Sequence, residues 1–424
     1  MENLNFFNLH KANVRNSCIL GLSVPGPKHQ GTSFKTFVYA VDVYQISVFC
    51  FMIYGIFYQT RIHSILVDID AAYCTLFGFA VSLYYSFCTE NFKRILHQID
   101  ELTDACLSDP LDGSRSFREK IITENAVISR CTSIIPLSMS LCPFIFYAVT
   151  IVKMFKFNPE KNNDQRFLDK IDHSQIAEAV QVIVSMMSIQ LGITRKASAE
   201  WFLLSLMAHI RTYFNHLQAT LLQVFQLNQN SSEERFNSQC SKFSHIGNLP
   251  NHTQDVALPA AGDKLKLWIQ IHQKLLRLTE DLIKVLSPLL TFYLINITSL
   301  SALTVYAITM DKELNLVEKI SMGYFGVTSM ITLFFLCFFG SQLYHKSEKL
   351  AEAAFWKSFE NGSNTVGKDV HSCLRLIFWR THSPVVFAPY KSPTFTFTNE
   401  SFVSFSRSII SFFFAIKKIR SMTY

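Results

Sequence analysis

Residue types that carry metal or nucleophile chemistry are present in this chain of 424 residues, but their spacing assembles no reactive centre. There is no Cys-x-x-Cys pair, no His-Glu-x-x-His and no glycine-rich phosphate loop. Cys240 and His245 lie close together in a polar stretch, and His209 and His216 stand two helical turns apart. Pairs of this kind are ordinarily incidental, so neither a metal nor any other cofactor is expected, and no enzyme activity has a supporting constellation. Ionisable residues inside apolar stretches are the stronger signal, because each costs at least about 2.5 kcal/mol at a bilayer centre. They are Asp42, Asp68, Asp70, Lys153, Glu178 and Arg407. Asp42 sits near the inner end of the first apolar run and the next four at the outer ends of the second, third and fourth, where interfacial water accounts for them. Arg407 lies well inside the last run and needs a water-lined path, a neighbouring carboxylate or a route to the inner surface to stay charged.

Aromatic residues offer a second kind of chemistry, the recognition of a small apolar molecule. The chain holds 39 Phe and 15 Tyr. Tyr73 and Phe77, Phe146 and Tyr147, and Tyr324 fall in the outer halves of the second, third and sixth apolar runs, with Met186 and Met187 near the middle of the fourth. A pocket among them is apolar with a few hydroxyls, which suits a small hydrophobic ligand. Plain helix packing accounts equally well for any one of these residues.

The elements that must position these groups are transmembrane helices. Apolar runs span about Val38–Tyr58, Ala71–Cys88, Ile134–Phe155, Ile176–Ile193, Leu286–Thr309, Ile320–Leu343 and, more weakly, Phe402–Ile416. A crossing helix needs about 20 mostly apolar residues, which the first six runs meet or approach. Seven crossings predict an all-α membrane protein. Lys and Arg collect on the side that holds the amino end, in the segments around Lys11–Lys35, Lys93–Lys120, Arg211–Arg277 and Lys346–Arg380. That bias predicts the amino terminus inside and the carboxyl terminus outside, with Lys417, Lys418 and Arg420 as the exception. The opening segment has no apolar core followed by a cleavage site, so no signal peptide is expected. Residues 1–37 then form a cytosolic segment and residues 38–424 one membrane domain.

The net charge of +7 follows this inner bias rather than a nucleic-acid footprint, since no basic cluster interleaves with aromatics outside the runs. None of the ten cysteines falls in an outer loop, so no disulfide is expected. Sequons at Asn230, Asn251, Asn296, Asn361 and Asn399 all lie on the inner side or within a crossing and are expected to carry no sugar. The segments at about 195–285 and 344–400 continue helical periodicity beyond the fourth and sixth runs. The charged step Arg195, Lys196, Glu200 is read as the point where the fourth helix leaves the membrane. Together these extensions form either a packed cytosolic layer or separate amphipathic helices on the membrane surface.

At the inner end of the sixth run Gly340, Leu343, Ser347, Leu350 and Ala353 form a GxxLxxxSxxLxxA pattern, followed by Phe355 and Phe359. With the Leu374–Pro384 segment LRLIFWRTHSP, and Ser401-Phe402, Arg407-Ser408 and Ser411-Phe412-Phe413 near the end, this resembles the insect odorant receptor family. The resemblance implies a plasma-membrane receptor of sensory dendrites that binds an odorant. It also implies a ligand-gated cation channel formed as a hetero-oligomer, a tetramer, with a shared co-receptor. A cytosolic helical anchor layer and a pore lined by the last helix, with Ala415 and Ile419 at pore-facing places, come with it. Ser411-Phe412 and Lys418-Ile419 replace the Thr-Tyr and Gln-Leu of a co-receptor's ending, so a ligand-tuning subunit is the closer fit. A gustatory-type receptor is a lesser alternative that lacks its TYxxxxxQF ending. A G-protein-coupled receptor also has seven crossings, but no Asp-Arg-Tyr follows the third run and no NPxxY lies in the last. A transporter, whose usual internal repeat and broken helices are not apparent, is a third possibility.

Overall fold

The apolar runs among the described residues lie in helices longer than a bilayer is thick. The computed structural model describes residues 32–58, 62–107, most of 117–127, 173–243, 257–310, 316–360, 375 and 377–379, 384–391 and 395–423. The third apolar run, with Phe146 and Tyr147, lies outside the described residues. The described helices are α1 (Thr32–Tyr58), α2 (Ile62–Phe87), α3 (Thr89–Leu107), α4 (His173–Phe243), α5 (Ala257–Met310), α6 (Leu316–Glu360) and α7 (Asn399–Thr423). No strand occurs among the described residues. By length and hydropathy alone, α1 over Phe34–Tyr54, α5 over Leu265–Thr309 and α6 over Met322–Trp356 suffice to cross a membrane, and α2 carries a shorter apolar stretch, Ala72–Phe87.

One end of the bundle is a packed helical layer. The backbone passes from α2 into α3 almost without a break, through Cys88 N–H to the Tyr84 carbonyl at 2.9 Å and Phe92 N–H to the Cys88 carbonyl at 2.9 Å. In α3 the residues Phe92, Ile95, Leu96, Ile99, Leu102 and Cys106 recur every three or four positions and are buried, while Glu90, Lys93 and Arg94 face outward. That stripe packs into one core with Phe202, Tyr213 and Leu217 of α4, Leu275 and Leu282 of α5, and Leu343 and Leu350 of α6. The Trp268 indole N–H donates to the Leu217 carbonyl at 2.9 Å, and the Thr103 and Tyr213 hydroxyls meet at 2.6 Å. The extensions therefore pack on one another as a layer instead of lying separately.

α4 sits in a register that the sequence reading did not foresee. Gly78 of α2 and Gly192 of α4 touch backbone to backbone, because a Cβ at either glycine would collide with the other chain. Seven residues further along both helices the Tyr85 hydroxyl donates to the Ala199 carbonyl at 3.3 Å. The apolar stretch of α2 thus runs beside residues up to about Ala199 and Phe202 of α4, so Arg195, Lys196 and Glu200 lie within the bundle, not beyond its edge. The part of α4 that packs beside the apolar stretch of α2 accordingly lies further toward the carboxyl end than Ile176–Ile193. The charges are accommodated by partners: Arg195 is fully buried, donates to Asp42 at 2.6 Å and to Gln45 at 2.5 Å, and so ties α4 to α1. Asp42 is therefore held by an ion pair rather than by interfacial water.

The chain ahead of α7 is strapped to α5 and α6 by backbone donors. Val385 N–H donates to the Ser347 hydroxyl at 2.9 Å, Tyr390 N–H to the Ser287 hydroxyl, and Phe397 N–H returns to the Phe387 carbonyl at 2.8 Å. Gly340 lies directly under the Phe397 carbonyl, where a Cβ has no room. The GxxLxxxSxxLxxA pattern thus has a local physical reason. Its Gly and Ser receive the strap, while Leu343 and Leu350 are fully buried beneath it.

Candidate functional site

Between α2, α4, α5 and α6, away from the layered end, lies a small cavity of about 30 Å³. Its apolar wall is Phe77 from α2, Ile193 and Ala197 from α4, Leu300 from α5 and Tyr324 from α6. Its polar wall is Lys196 and Glu200 from α4, Asn296 from α5, and Thr328, Ser329 and Thr332 from α6. The glycine contact at Gly78 and Gly192 brings α2 and α4 close enough to seal one side. Phe77 stacks on Phe292 with ring centroids 4.7 Å apart and 9° between planes, and meets Tyr293 at 5.4 Å, which packs its ring against α5. The Lys196 ammonium lies 5.7 Å from the centroid of the Phe77 ring.

Of the residues singled out for ligand contact, Phe77 and Tyr324 line this one cavity. Tyr73, half-buried on α2, is not on its wall, and Phe146 and Tyr147 fall outside the described residues. Met187 is 58% exposed and points out of the bundle, a direct consequence of the displaced register of α4. Sequence reasoning missed Lys196, Glu200, Asn296 and Ser329. The signal available was the i, i+4 spacing of Lys196 and Glu200, which puts opposite charges on one helix face. Asn296 had been noted as a sequon inside a crossing and is buried in the cavity wall.

A wider cleft of about 470 Å³ opens between α5, α6 and α7, with Thr304, Val305, Val327, Met330 and Phe402 among its walls. Gly326 faces Thr304 there, closer than a Cβ allows. Along α7, Val403, Ile410, Phe412, Phe414 and Ile419 are exposed. Ala415 and Ile419, four positions apart on one face of α7, are both exposed, as is Arg407. Arg420 instead turns back to the bundle and donates to the Thr309 carbonyl near the end of α5. Among the described residues no cluster of His, Cys, Asp or Glu could hold a metal ion.

Residues 61–385 match the family profile described as 7tm Odorant receptor. The fold matches the insect olfactory receptor OR5 from Machilis hrabei with a TM-score of 0.66, at 12% identity over 97% of this chain and 98% of that one. The same receptor in complex with eugenol gives a TM-score of 0.68, again at 12% identity, over 97% and 99% of the two chains. At that identity the likeness speaks for the fold, a seven-transmembrane helical receptor fold. No curated protein sequence matches the chain.

Proposed function

The chain belongs to the odorant receptor family, and from that premise we propose that it is a ligand-tuning subunit that binds a small hydrophobic volatile between α2, α4, α5 and α6. On this reading it gates a non-selective cation channel in the plasma membrane as a hetero-oligomer with a co-receptor subunit. The observation that carries the reading is the cavity itself: it is walled by Phe77, Leu300 and Tyr324 and set between four helices of the bundle. The eugenol complex of the Machilis hrabei receptor supports an odorant as the class of ligand. The amino end is inside and the carboxyl end outside, so the packed layer around α3 is the cytosolic anchor.

The size of the cavity constrains how binding works. About 30 Å³ holds a water molecule or two, whereas drug-sized ligands occupy pockets of about 300–1,000 Å³. A ligand therefore enters by moving the Phe77 and Tyr324 rings and the helices behind them. Because an opened cavity binds the volatile and a closed one does not, ligand shifts the population toward the opened bundle, and α5 and α6, which carry the strap ahead of α7, pass that shift to the pore. Ala415 and Ile419 face the pore, and the exposed apolar residues of α7 meet neighbouring subunits and lipid.

The test is ligand-evoked current from cells expressing this chain with a co-receptor. Tyr324→Ala and Phe77→Ala enlarge the cavity and should reorder the ranking of volatiles without lowering surface expression. An unchanged ranking in both variants would remove the cavity from the binding site.

A further inference from the structure

Three side-chain oxygens in the cavity wall make no hydrogen bond among the described residues: Glu200 Oε1, Asn296 Oδ1 and Ser329 Oγ. All three side chains are nearly completely buried, with Glu200 1%, Asn296 2% and Ser329 2% exposed. They come from three different helices and converge on one space. The nearest charge does not satisfy them, since Lys196 Nζ stands 3.8 Å from Glu200 Oε1, beyond hydrogen-bond distance. The other carboxylate oxygen of Glu200 is occupied, accepting from the Thr332 hydroxyl at 3.2 Å. A buried acceptor left unpaired is unfavourable, and buried polar atoms in folded proteins are nearly always paired with protein, water or ligand. Here Glu200 Oε1 and Asn296 Oδ1 can only accept, while the Ser329 hydroxyl can accept or donate, and all three face a cavity whose other wall is apolar and aromatic.

We propose that this polar floor makes the receptor selective for volatiles carrying a hydroxyl group, whose O–H donates to the floor formed by Glu200, Asn296 and Ser329 while the hydrocarbon part packs on Phe77, Leu300 and Tyr324. The inference rests on the odorant-binding reading above and names the ligand class for it. A neutral hydroxyl fits better than an ammonium, because Lys196 already balances the Glu200 charge within 3.8 Å. An ether or hydrocarbon of the same size fills the apolar part but leaves the Glu200 and Asn296 oxygens, which can only accept, unpaired, and sites built to bond a hydroxyl reject analogues lacking it.

The test compares isomers that differ in the donor and not in size: benzyl alcohol against anisole, and octanol against heptyl methyl ether, with further linear, branched and cyclic pairs. Thermal stabilisation of the purified full chain reads binding without requiring channel opening. Each alcohol should bind about tenfold or more tightly than its ether, the effect of one hydrogen bond to a buried, partly charged acceptor. Ser329→Ala and Asn296→Leu should each narrow that ratio while leaving ether binding in place, and Glu200→Gln should narrow it further. Equal stabilisation by alcohols and ethers overturns the hydroxyl inference and leaves the odorant reading standing. Stabilisation by no pair overturns both. A ratio that survives Ser329→Ala and Asn296→Leu together moves the donor contact elsewhere and overturns the floor assigned here.

Discussion

Arg195 ties α4 to α1 by a buried ion pair. Its guanidinium is fully buried between Asp42 and Gln45. Removing one partner of a buried pair leaves an uncompensated charge, so Arg195→Leu should destabilise the receptor by about 3–5 kcal/mol. The paired change Asp42→Leu with Arg195→Leu should regain most of that loss, since two apolar residues need no partner. Thermal unfolding of the detergent-solubilised chain measures both, and a single variant as stable as the parent contradicts the assignment. In the packed layer, burial pushes the His209 imidazole down from 6.5 to about 4, with Nδ1 against the Ser205 carbonyl. Its level is fixed by Thr103 against Tyr213, well past the end of α2. The unfolded chain takes up this proton near 6.5 and the folded chain only near 4. Stability is therefore full above the first value and falls as the pH drops between the two. His209→Gln should flatten that part of the pH profile, and an unchanged slope would show that other groups set it. None of this was legible one residue at a time. Hydropathy treats each charge alone, and Asp42 and Arg195 are 153 positions apart in sequence.

At the scale of elements, the strap between α6 and α7 is where sequence and structure agree most closely. Ser347 and Gly340 were readable as a spaced pattern, but only the docked chain gives their purpose, a hydroxyl under Val385 N–H and a bare Cα against the Phe397 carbonyl, where no Cβ fits. Ser347→Ala leaves the buried Val385 N–H without its acceptor and should cost about 1–3 kcal/mol. A larger residue at Gly340 should dislodge the strap altogether, seen as current that no longer follows ligand at normal surface level. In α7, Arg407 is exposed on a helix that also exposes Val403 and Ile410. Arg407→Ala should change ion selectivity or gating if that face meets the pore, whereas unaltered currents make Arg407 a surface anchor. Arg420 is a different case, because its bond to the Thr309 carbonyl clamps α7 to α5 and gives a partner to one of the three basic residues that stood as the exception to the inner charge bias. The boundary of α4 was the element read least well. A run of Arg, Lys and Glu looks like a helix leaving the bilayer, and only the contact of Gly78 with Gly192 sets the true register.

For the whole molecule, the long helices and the packed layer were legible because apolar length and three-to-four-residue periodicity are local properties. The cavity was half legible: Phe77 and Tyr324 stand out as aromatics, but its polar floor depends on three helices meeting and on charges that a membrane scan reads as solvent-exposed. Orientation is open to an independent check, because an inward amino terminus leaves the sequons at Asn230 and Asn251 without sugar, and a deglycosylation shift at either would invert the assignment. The central claim is that volatile binding in the bundle opens a cation pore. It is tested most directly by whole-cell current from cells expressing this chain with a co-receptor, recorded across a panel of volatiles for the parent and for Phe77→Ala. A rapid cation current evoked by a subset of volatiles, with a different subset preferred by Phe77→Ala at equal surface level, is the expected result. A chain that reaches the surface yet passes no volatile-evoked current, or one whose current requires a G protein, would contradict it.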